Sequence, residues 1–281
     1  MRWFHVIGAL LLSVGLSIAC LMLVGYLIAP VYSHTSQHNE VVSTYAPKVI
    51  SYNTPSVDSG IPILLYHAIS DEDDISSEMF VPADVFALHL EYLYRSGYHT
   101  VSFEALYEHW ERGAALPDKP IVISFDDGYR SFYNYALPLL ESYEMCATVF
   151  VISNHLDLPR TMTPAMIRDI SAAGMEIASH SHNHLYLTSC SEDEARSQLI
   201  TSKELLQELL GKPVNVLAYP GGMHNDAVRQ IAKEVGYLMA VGTVPGLNTA
   251  ATDRFLLNRI YIERKDGFEG FVTKIEAFMG R

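Results

Sequence analysis

Cysteine and basic residues are scarce in this chain of 281 residues. Its three cysteines are too few for the disulfide framework that stabilises many small secreted domains, so the fold must depend on an apolar core. Cys20 lies in an apolar N-terminal run, whereas Cys146 and Cys190 either pair or stay free. Lysine and arginine number 19 against 32 aspartates and glutamates, and the formal net charge is −13. Such a surface repels nucleic acid, which we therefore do not expect as a partner.

Charged residues are also missing from the N-terminal run over residues 3–31. Residues 6–29 read "VIGALLLSVGLSIACLMLVGYLIA", which as a helix would span about 36 Å at about 1.5 Å per residue, enough to cross a bilayer. We predict a transmembrane anchor here, after a cytoplasmic stub of residues 1–5. A cleaved signal sequence is the alternative. The protein would then be a single-pass protein of the cell membrane with its domain extracellular, or a secreted one if the segment is cleaved.

The rest of the chain divides into a tether and one domain. Residues 30–60 are rich in Ser, Thr, His, Asn and Val without a helical period, which is typical of a tether. From residue 61 to residue 281, short apolar runs such as "PIVISF" alternate with amphipathic stretches. Thr163, Ser191 and Asn225 precede three of these stretches as N-caps. This alternation predicts an α/β fold, with a parallel sheet covered by helices as an open or closed barrel.

Chemically reactive side chains follow four of the predicted strands. Active sites of parallel α/β folds lie at the carboxyl ends of the strands, so these residues are expected to lie close together. The residues at these strand ends are His67 after "PILLY", Asp126 and Asp127 after "IVISF", His180 after "MEIAS", and Tyr219 to Gly222 after "VNVLA".

Asp126 and Asp127 are neighbours that would face opposite sides of a regular strand. Gly128 permits a sharp turn directly after them, so both carboxylates could reach one cavity. One could then bind a metal while the other acts as a base. The alternative is a solvated turn that only terminates the strand.

Three histidines occur at alternate positions in "HSHNH", residues 180–184. His180 and His184 share a face in a helical turn and also in an extended segment, whereas His182 joins them only when the segment is extended. A carboxylate with two histidines suits zinc or a similar divalent ion that activates water. The metalloprotease pattern HExxH is excluded because Ser181 stands where its Glu would be.

Together, "ISFDDGY" and "HSHNH" resemble the first and second motifs of the polysaccharide deacetylases, the NodB-homology domain of carbohydrate esterase family 4. The resemblance covers about residues 60–275 and implies a distorted (β/α) barrel. It also implies that Asp127, His180 and His184 bind a divalent metal ion, zinc in the first place with cobalt or nickel as alternatives. Asp126 corresponds to the general base, and His182 falls on a variable position, which selects the turn geometry.

The third family motif is altered in this chain. Ala218 stands where that motif has an Arg, and Gly221 stands where it has a Tyr, although the Gly221 backbone N–H could still stabilise an oxyanion. The usual late histidine is absent too, since no His follows His224. The early His67 is similar to the general acid of the poly-N-acetylglucosamine deacetylase branch; the alternative is a buried histidine bonded to backbone.

The resemblance implies a hydrolase that removes N-acetyl groups from N-acetylglucosamine units of an extracellular polysaccharide. The arrangement around His67 favours poly-β-1,6-N-acetylglucosamine, a biofilm polymer. The alternatives are a peptidoglycan or chitin-oligosaccharide deacetylase, or a non-catalytic relative that only binds glycans. The candidate substrate-binding residues are Tyr129, Tyr219, Gly222 and His224.

Overall fold

Residues 60–70 and 77–280 are the part of the chain that the structure, a computed structural model, describes. In these ranges short strands alternate with helices, as the sequence predicts. The strands are β1 (Ile63–Tyr66), β2 (Ala68–Ser70), β3 (Phe80–Pro82), β4 (His99–Thr100), β5 (Pro120–Phe125), β6 (Thr148–Val151), β7 (Glu176–Ser179), β8 (Val216–Ala218), β9 (Met239–Val241) and β10 (Ile260–Tyr261). The helices are α1 (Ala83–Arg95), α2 (Phe103–Arg112), α3 (Leu137–Ser142), α4 (Pro164–Ala172), α5 (Glu192–Leu210), α6 (Asp226–Val235) and α7 (Gly267–Phe278).

The main sheet is parallel and has the strand order β10-β1-β5-β6-β7-β8-β9, with β4 paired to β5. A separate pair is formed by β2 and β3. The sheet curls, because a parallel bridge between Val241 and Leu257 links β9 to the segment that leads into β10. This curled sheet with outer helices is consistent with the distorted (β/α) barrel that the resemblance implies.

Two apolar clusters occupy the two faces of the curled sheet. Ile63 and Val122 lie in the inner cluster, whereas their neighbours Leu64 and Ile123 lie in the outer one. This alternation follows from the period of a strand, in which successive side chains face opposite sides. Because the main strands are buried on both faces, they are mostly apolar, as those of parallel sheets are. Residues from the main strands and from α2 fill the inner cluster, including Phe103, Leu106, Phe150, Ala178, Val216 and Met239.

The predicted N-caps are confirmed. The Thr163, Ser191 and Asn225 side chains each accept a hydrogen bond from a backbone N–H in the first turn, of α4, α5 and α6 respectively. The stretch "YNYALPLLESYE" has the apolar spacing of one helix, but a π-helical turn over Phe132–Ala136 leads directly into α3. Pro138 lacks the N–H that a regular α-helix would need at that position, which accounts for the local change from α-helical to π-helical hydrogen bonding.

The predicted N-terminal segments lie outside the described residues: the stub 1–5, the anchor 6–29 and the tether 30–60 except for its last residue. Among the helices of residues 60–70 and 77–280, none has the length and apolar character to cross a membrane. Cys146 and Cys190 are both free thiols.

Candidate active site

A sharp turn after β5 brings both aspartates to the same cavity. Asp127 has a φ of 71° and Gly128 a φ of 69°, so two consecutive residues adopt the left-handed region, which aspartate tolerates better than most residues. The carboxylates of Asp126 and Asp127 consequently lie 3.9 and 3.5 Å from the same atom, His180 Nε2. Because Asp126 is only 3% exposed, the alternative of a solvated turn does not hold for its carboxylate.

Asp126 forms a bidentate ion pair with Arg259. Both distances from guanidinium nitrogen to carboxylate oxygen are 2.7 Å, and Arg259 is fully buried. The Arg259 Nε–H also donates to the Gly242 carbonyl at 2.8 Å, which fixes the guanidinium. Burial alone would raise the pKa of Asp126, but Arg259 and then His180 outweigh it and lower the pKa to about 2. Asp126 is therefore ionised at neutral pH.

Asp127, His180 and His184 form a cluster with the composition of a metal site. Asp127 Oδ1 lies 3.5 Å from His180 Nε2 and 3.6 Å from His184 Nε2, and the three potential ligand atoms all lie within 4.8 Å of one another. Two ligands of a tetrahedral ion with bonds of about 2.1 Å are separated by roughly 3.4 Å, so these residues fit one zinc-like ion. The cluster consists of the three residues that the resemblance implies.

The His180 ring is oriented from behind by the backbone of β8. Its Nδ1–H donates to the Ala218 carbonyl at 2.8 Å, which leaves Nε2 as the nitrogen that faces Asp127. Burial lowers the pKa of His180 and of His184. A lower pKa favours the neutral imidazole, which is the form that binds a metal.

The segment "HSHNH" is neither an extended strand nor a regular helical turn. Ser181 and His184 both have positive φ, 62° and 58°, and the Ser181 hydroxyl accepts the His184 backbone N–H at 3.1 Å. This tight turn directs His184 toward Asp127. His182 instead shares a hydrogen bond of 2.9 Å between its Nδ1 and the Ser153 hydroxyl, away from the cluster.

His67 lies close enough to the cluster to interact electrostatically with Asp126 and His184. Its ring packs against that of Tyr261, with the two ring centroids 5.2 Å apart. Its Nδ1 is buried without a hydrogen-bond partner among the described residues. This nitrogen therefore does not bond to backbone, which was the alternative explanation of the residue. Burial lowers the pKa of His67, Asp126 raises it, and Arg259 lowers it again.

The four predicted substrate-binding residues lie in different environments. The Tyr129 hydroxyl hydrogen-bonds the Asp127 carboxylate, so Tyr129 borders the cluster. Tyr219 requires a correction, because its side chain is fully buried in the outer apolar layer and its hydroxyl donates to the Phe255 carbonyl at 3.2 Å. The His224 ring packs against the Tyr219 ring, with the two ring centroids 5.2 Å apart. Gly222 has a φ of 69°, and a Cβ at this position would clash with the Thr243 side chain.

Sequence analysis missed Arg259, although it is the immediate partner of the predicted base. One local signal was available, since Arg259 is the only charged residue in the mostly apolar stretch "FLLNRIYI". A charged residue in the middle of a buried strand requires a partner.

Replacing Arg259 by methionine should leave the Asp126 carboxylate buried without compensation. We expect Arg259→Met to lower the free energy of unfolding by about 3–5 kcal/mol, measured by urea denaturation. Arg112→Met, which removes an exposed ion pair with Glu108, should cost less than about 1 kcal/mol. Adding Asp126→Asn to Arg259→Met should recover part of the loss, and equal effects of the two single arginine variants would contradict this account.

The three histidines of "HSHNH" should differ in metal binding. His180→Ala or His184→Ala should abolish binding of one zinc ion per chain, because each removes one of only three clustered ligands. His182→Ala should retain the metal, since its ring faces Ser153. Elemental analysis of the purified full chain after dialysis against a weak chelator would measure this. Loss of zinc in His182→Ala would show that the assigned ligand set is wrong.

Comparison with known proteins points to the same family as the geometry of the cluster. The family model for polysaccharide deacetylase matches residues 113–240. The structure of the Streptococcus pyogenes deacetylase PplD in complex with acetate superposes with a TM-score of 0.73 at 30% identity, covering 77% of this chain and 98% of that one.

Two proteins of assigned activity are also similar. A peptidoglycan-N-acetylglucosamine deacetylase of Bacillus cereus is 33% identical over 121 residues, 43% of this chain and 54% of that protein. The chain thus spans about half the length of this relative. A poly-beta-1,6-N-acetyl-D-glucosamine N-deacetylase of Staphylococcus aureus is 25% identical over 196 residues, 64% of this chain and 67% of that protein. Because its fold and motifs match, and because the match extends over 98% of a solved deacetylase at 30% identity, the chain belongs to the polysaccharide deacetylase family, whose members are metal-dependent hydrolases of N-acetyl amide bonds.

Proposed function

We propose that this protein removes N-acetyl groups from N-acetylglucosamine units of an extracellular polysaccharide, with poly-β-1,6-N-acetylglucosamine as the first candidate. The observation that carries the proposal is the ionised, buried Asp126 directly beside the cluster of Asp127, His180 and His184. A protein that only binds glycans has no need of a charged base next to a metal site. The arrangement therefore favours hydrolysis over the non-catalytic alternative.

A divalent ion held by Asp127, His180 and His184 would acidify a water molecule and polarise the acetamide carbonyl. Asp126 is the proposed acceptor for a proton of the attacking water. Both of its oxygens accept bonds from Arg259, yet a carboxylate has about four lone-pair sites, so room for a water remains. Since the pKa of Asp126 is lowered to about 2, it is a weak base and is suited only to a water of increased acidity.

His67 is the proposed general acid for the departing amine nitrogen. Burial lowers the pKa of His67, so a protonated ring at this position gives up its proton readily. The Gly221 backbone N–H is the proposed donor to the oxyanion that forms at the carbonyl. Gly221 has a φ of 61°, and its loop directly follows β8, whose Ala218 carbonyl orients His180.

The choice of polymer depends on two sequence features. His67 precedes the first motif and Ala218 replaces the usual arginine, and both features favour the poly-β-1,6-N-acetylglucosamine branch. The Bacillus cereus relative supports a peptidoglycan substrate as the second candidate, and its identity is higher over a shorter segment. We further propose that residues 6–29 attach the domain to the outer face of the cell membrane, on the basis of their apolar sequence alone.

Acetate release tests the catalytic assignment. With the full chain loaded with zinc, Asp126→Asn should lower kcat by about 10²–10⁴-fold, because an amide cannot accept the proton. The matched control Asp118→Asn changes an exposed aspartate and should release acetate at the wild-type rate. Equal rates in wild type and Asp126→Asn would overturn the mechanism.

A screen of linkages tests the polymer. We expect acetate release from a β-1,6-linked N-acetylglucosamine polymer to exceed that from β-1,4-linked chitin oligomers and from peptidoglycan, with zinc, cobalt and nickel each supplied in turn. Faster release from peptidoglycan would establish the second candidate in place of the first.

A further inference from the structure

Exposed apolar side chains concentrate around the mouth of the active site. In the described ranges, five of the large exposed hydrophobic residues follow the carboxyl ends of strands β6 to β9, the edge of the sheet that carries the metal cluster. Two others, Tyr94 and Leu205, lie on the outer helices α1 and α5. Apolar groups grouped in this way mark a binding surface more often than scattered ones do. The five are Leu158, Leu185, Tyr186, Met223 and Val244.

Tyr186 is the only aromatic residue among these five, and its ring rests on Gly221. A Cβ built at Gly221 would lie 2.5 Å from Tyr186 Cε1 and 3.2 Å from Cδ1, so no side chain fits there unless the ring moves. The loop after β7 and the loop after β8 therefore meet through this ring. Glycine at position 221 thus serves two purposes: it permits the positive φ, and it leaves space for the Tyr186 ring.

The contact with Gly221 holds the Tyr186 ring while much of it stays accessible. Tyr186 is 57% exposed, although it follows the metal-site residue His184 by only two positions. An aromatic ring has few rotatable bonds, so a partly immobilised ring can bind a ligand at a low entropic cost. It offers a flat apolar face directly beside the proposed reaction centre.

The other tyrosines near the site are not available in this way. Tyr219 is fully buried, and Tyr129 bonds Asp127 while its ring packs edge-on against Phe80 at 5.7 Å. Tyr261 is partly buried and packs against the proposed general acid His67, with ring centroids 5.2 Å apart. Of these four tyrosines, Tyr186 is the most exposed and therefore the best placed to accept a ligand on its face.

We propose that Tyr186 is the stacking platform for a pyranose ring of the polymer, next to the acetamide that is hydrolysed. One face of a pyranose ring is lined with C–H groups, which pack on an aromatic face while the hydroxyl groups point outward to water. The proposal rests on the proposed function and adds a specificity-determining residue to it. Gly221 stands where the third family motif has a tyrosine, and Tyr186 places an aromatic ring beside this position from a different loop.

The test is binding and turnover of a β-1,6-linked N-acetylglucosamine pentamer by the full chain. Tyr186→Ala and Tyr186→Leu should both raise KM about tenfold and leave kcat within about twofold, because a tenfold change corresponds to about 1.4 kcal/mol of lost contact. Tyr186→Phe keeps the ring and should match wild type. Tyr94→Ala, which removes an equally exposed tyrosine on α1, should also match wild type. Calorimetric Kd values for the pentamer, measured in an Asp126→Asn background, should show the same tenfold change without turnover.

Zinc content and the melting temperature show whether each variant has kept its fold and its metal site. If the wild type releases acetate and Tyr186→Ala retains the wild-type KM and Kd, the stacking role is overturned and the proposed function stands. If the wild type neither binds the pentamer nor releases acetate from it, both the function and the platform are overturned.

Discussion

The buried ion pair between Arg259 and Asp126 is the interaction on which the candidate active site depends. Removing two charges from water costs several kcal/mol for each ion, and only a close, well-oriented pair offsets that cost. Here the guanidinium also bonds the Gly242 carbonyl, so the pair joins the ends of β5 and β9 to the segment leading into β10. The same contact closes the curled sheet and fixes the charge and orientation of the proposed base.

Two adjacent aspartates have been given different properties by their surroundings. Arg259 faces Asp126 and lowers its pKa, whereas burial raises the pKa of Asp127. Among the carboxylates of this site, Asp127 is thus the one whose charge a bound cation would stabilise most. This difference supports the assignment of Asp126 as the base and Asp127 as a metal ligand. The sequence alone could not show it, because the two aspartates are adjacent and chemically identical.

The sequence was sufficient for features that local patterns or strand ends determine. Thr163 and Asn225 cap helices as predicted, and Asp127 meets His180 because parallel strands end at one edge of the sheet. Features that depend on distant partners or on side-chain direction were not predictable. Arg259 lies far along the chain from Asp126, and Tyr219 follows a strand from which its side chain could have pointed to either face. The roles of the site residues, like the N-terminal anchor, stay predictions.

The position of Arg259 along the chain also constrains the order of events during synthesis. It follows Asp126 by 133 residues, and β10 then pairs with β1, so an early segment and a late one become neighbours. Until the late segment emerges, the β1–β5 core can form only by burying a carboxylate that has no counter-ion. The counter-ion of the proposed base is therefore among the last parts of the nascent chain to be synthesised, and a polypeptide that stops before Arg259 contains the metal cluster residues but lacks the partner of Asp126.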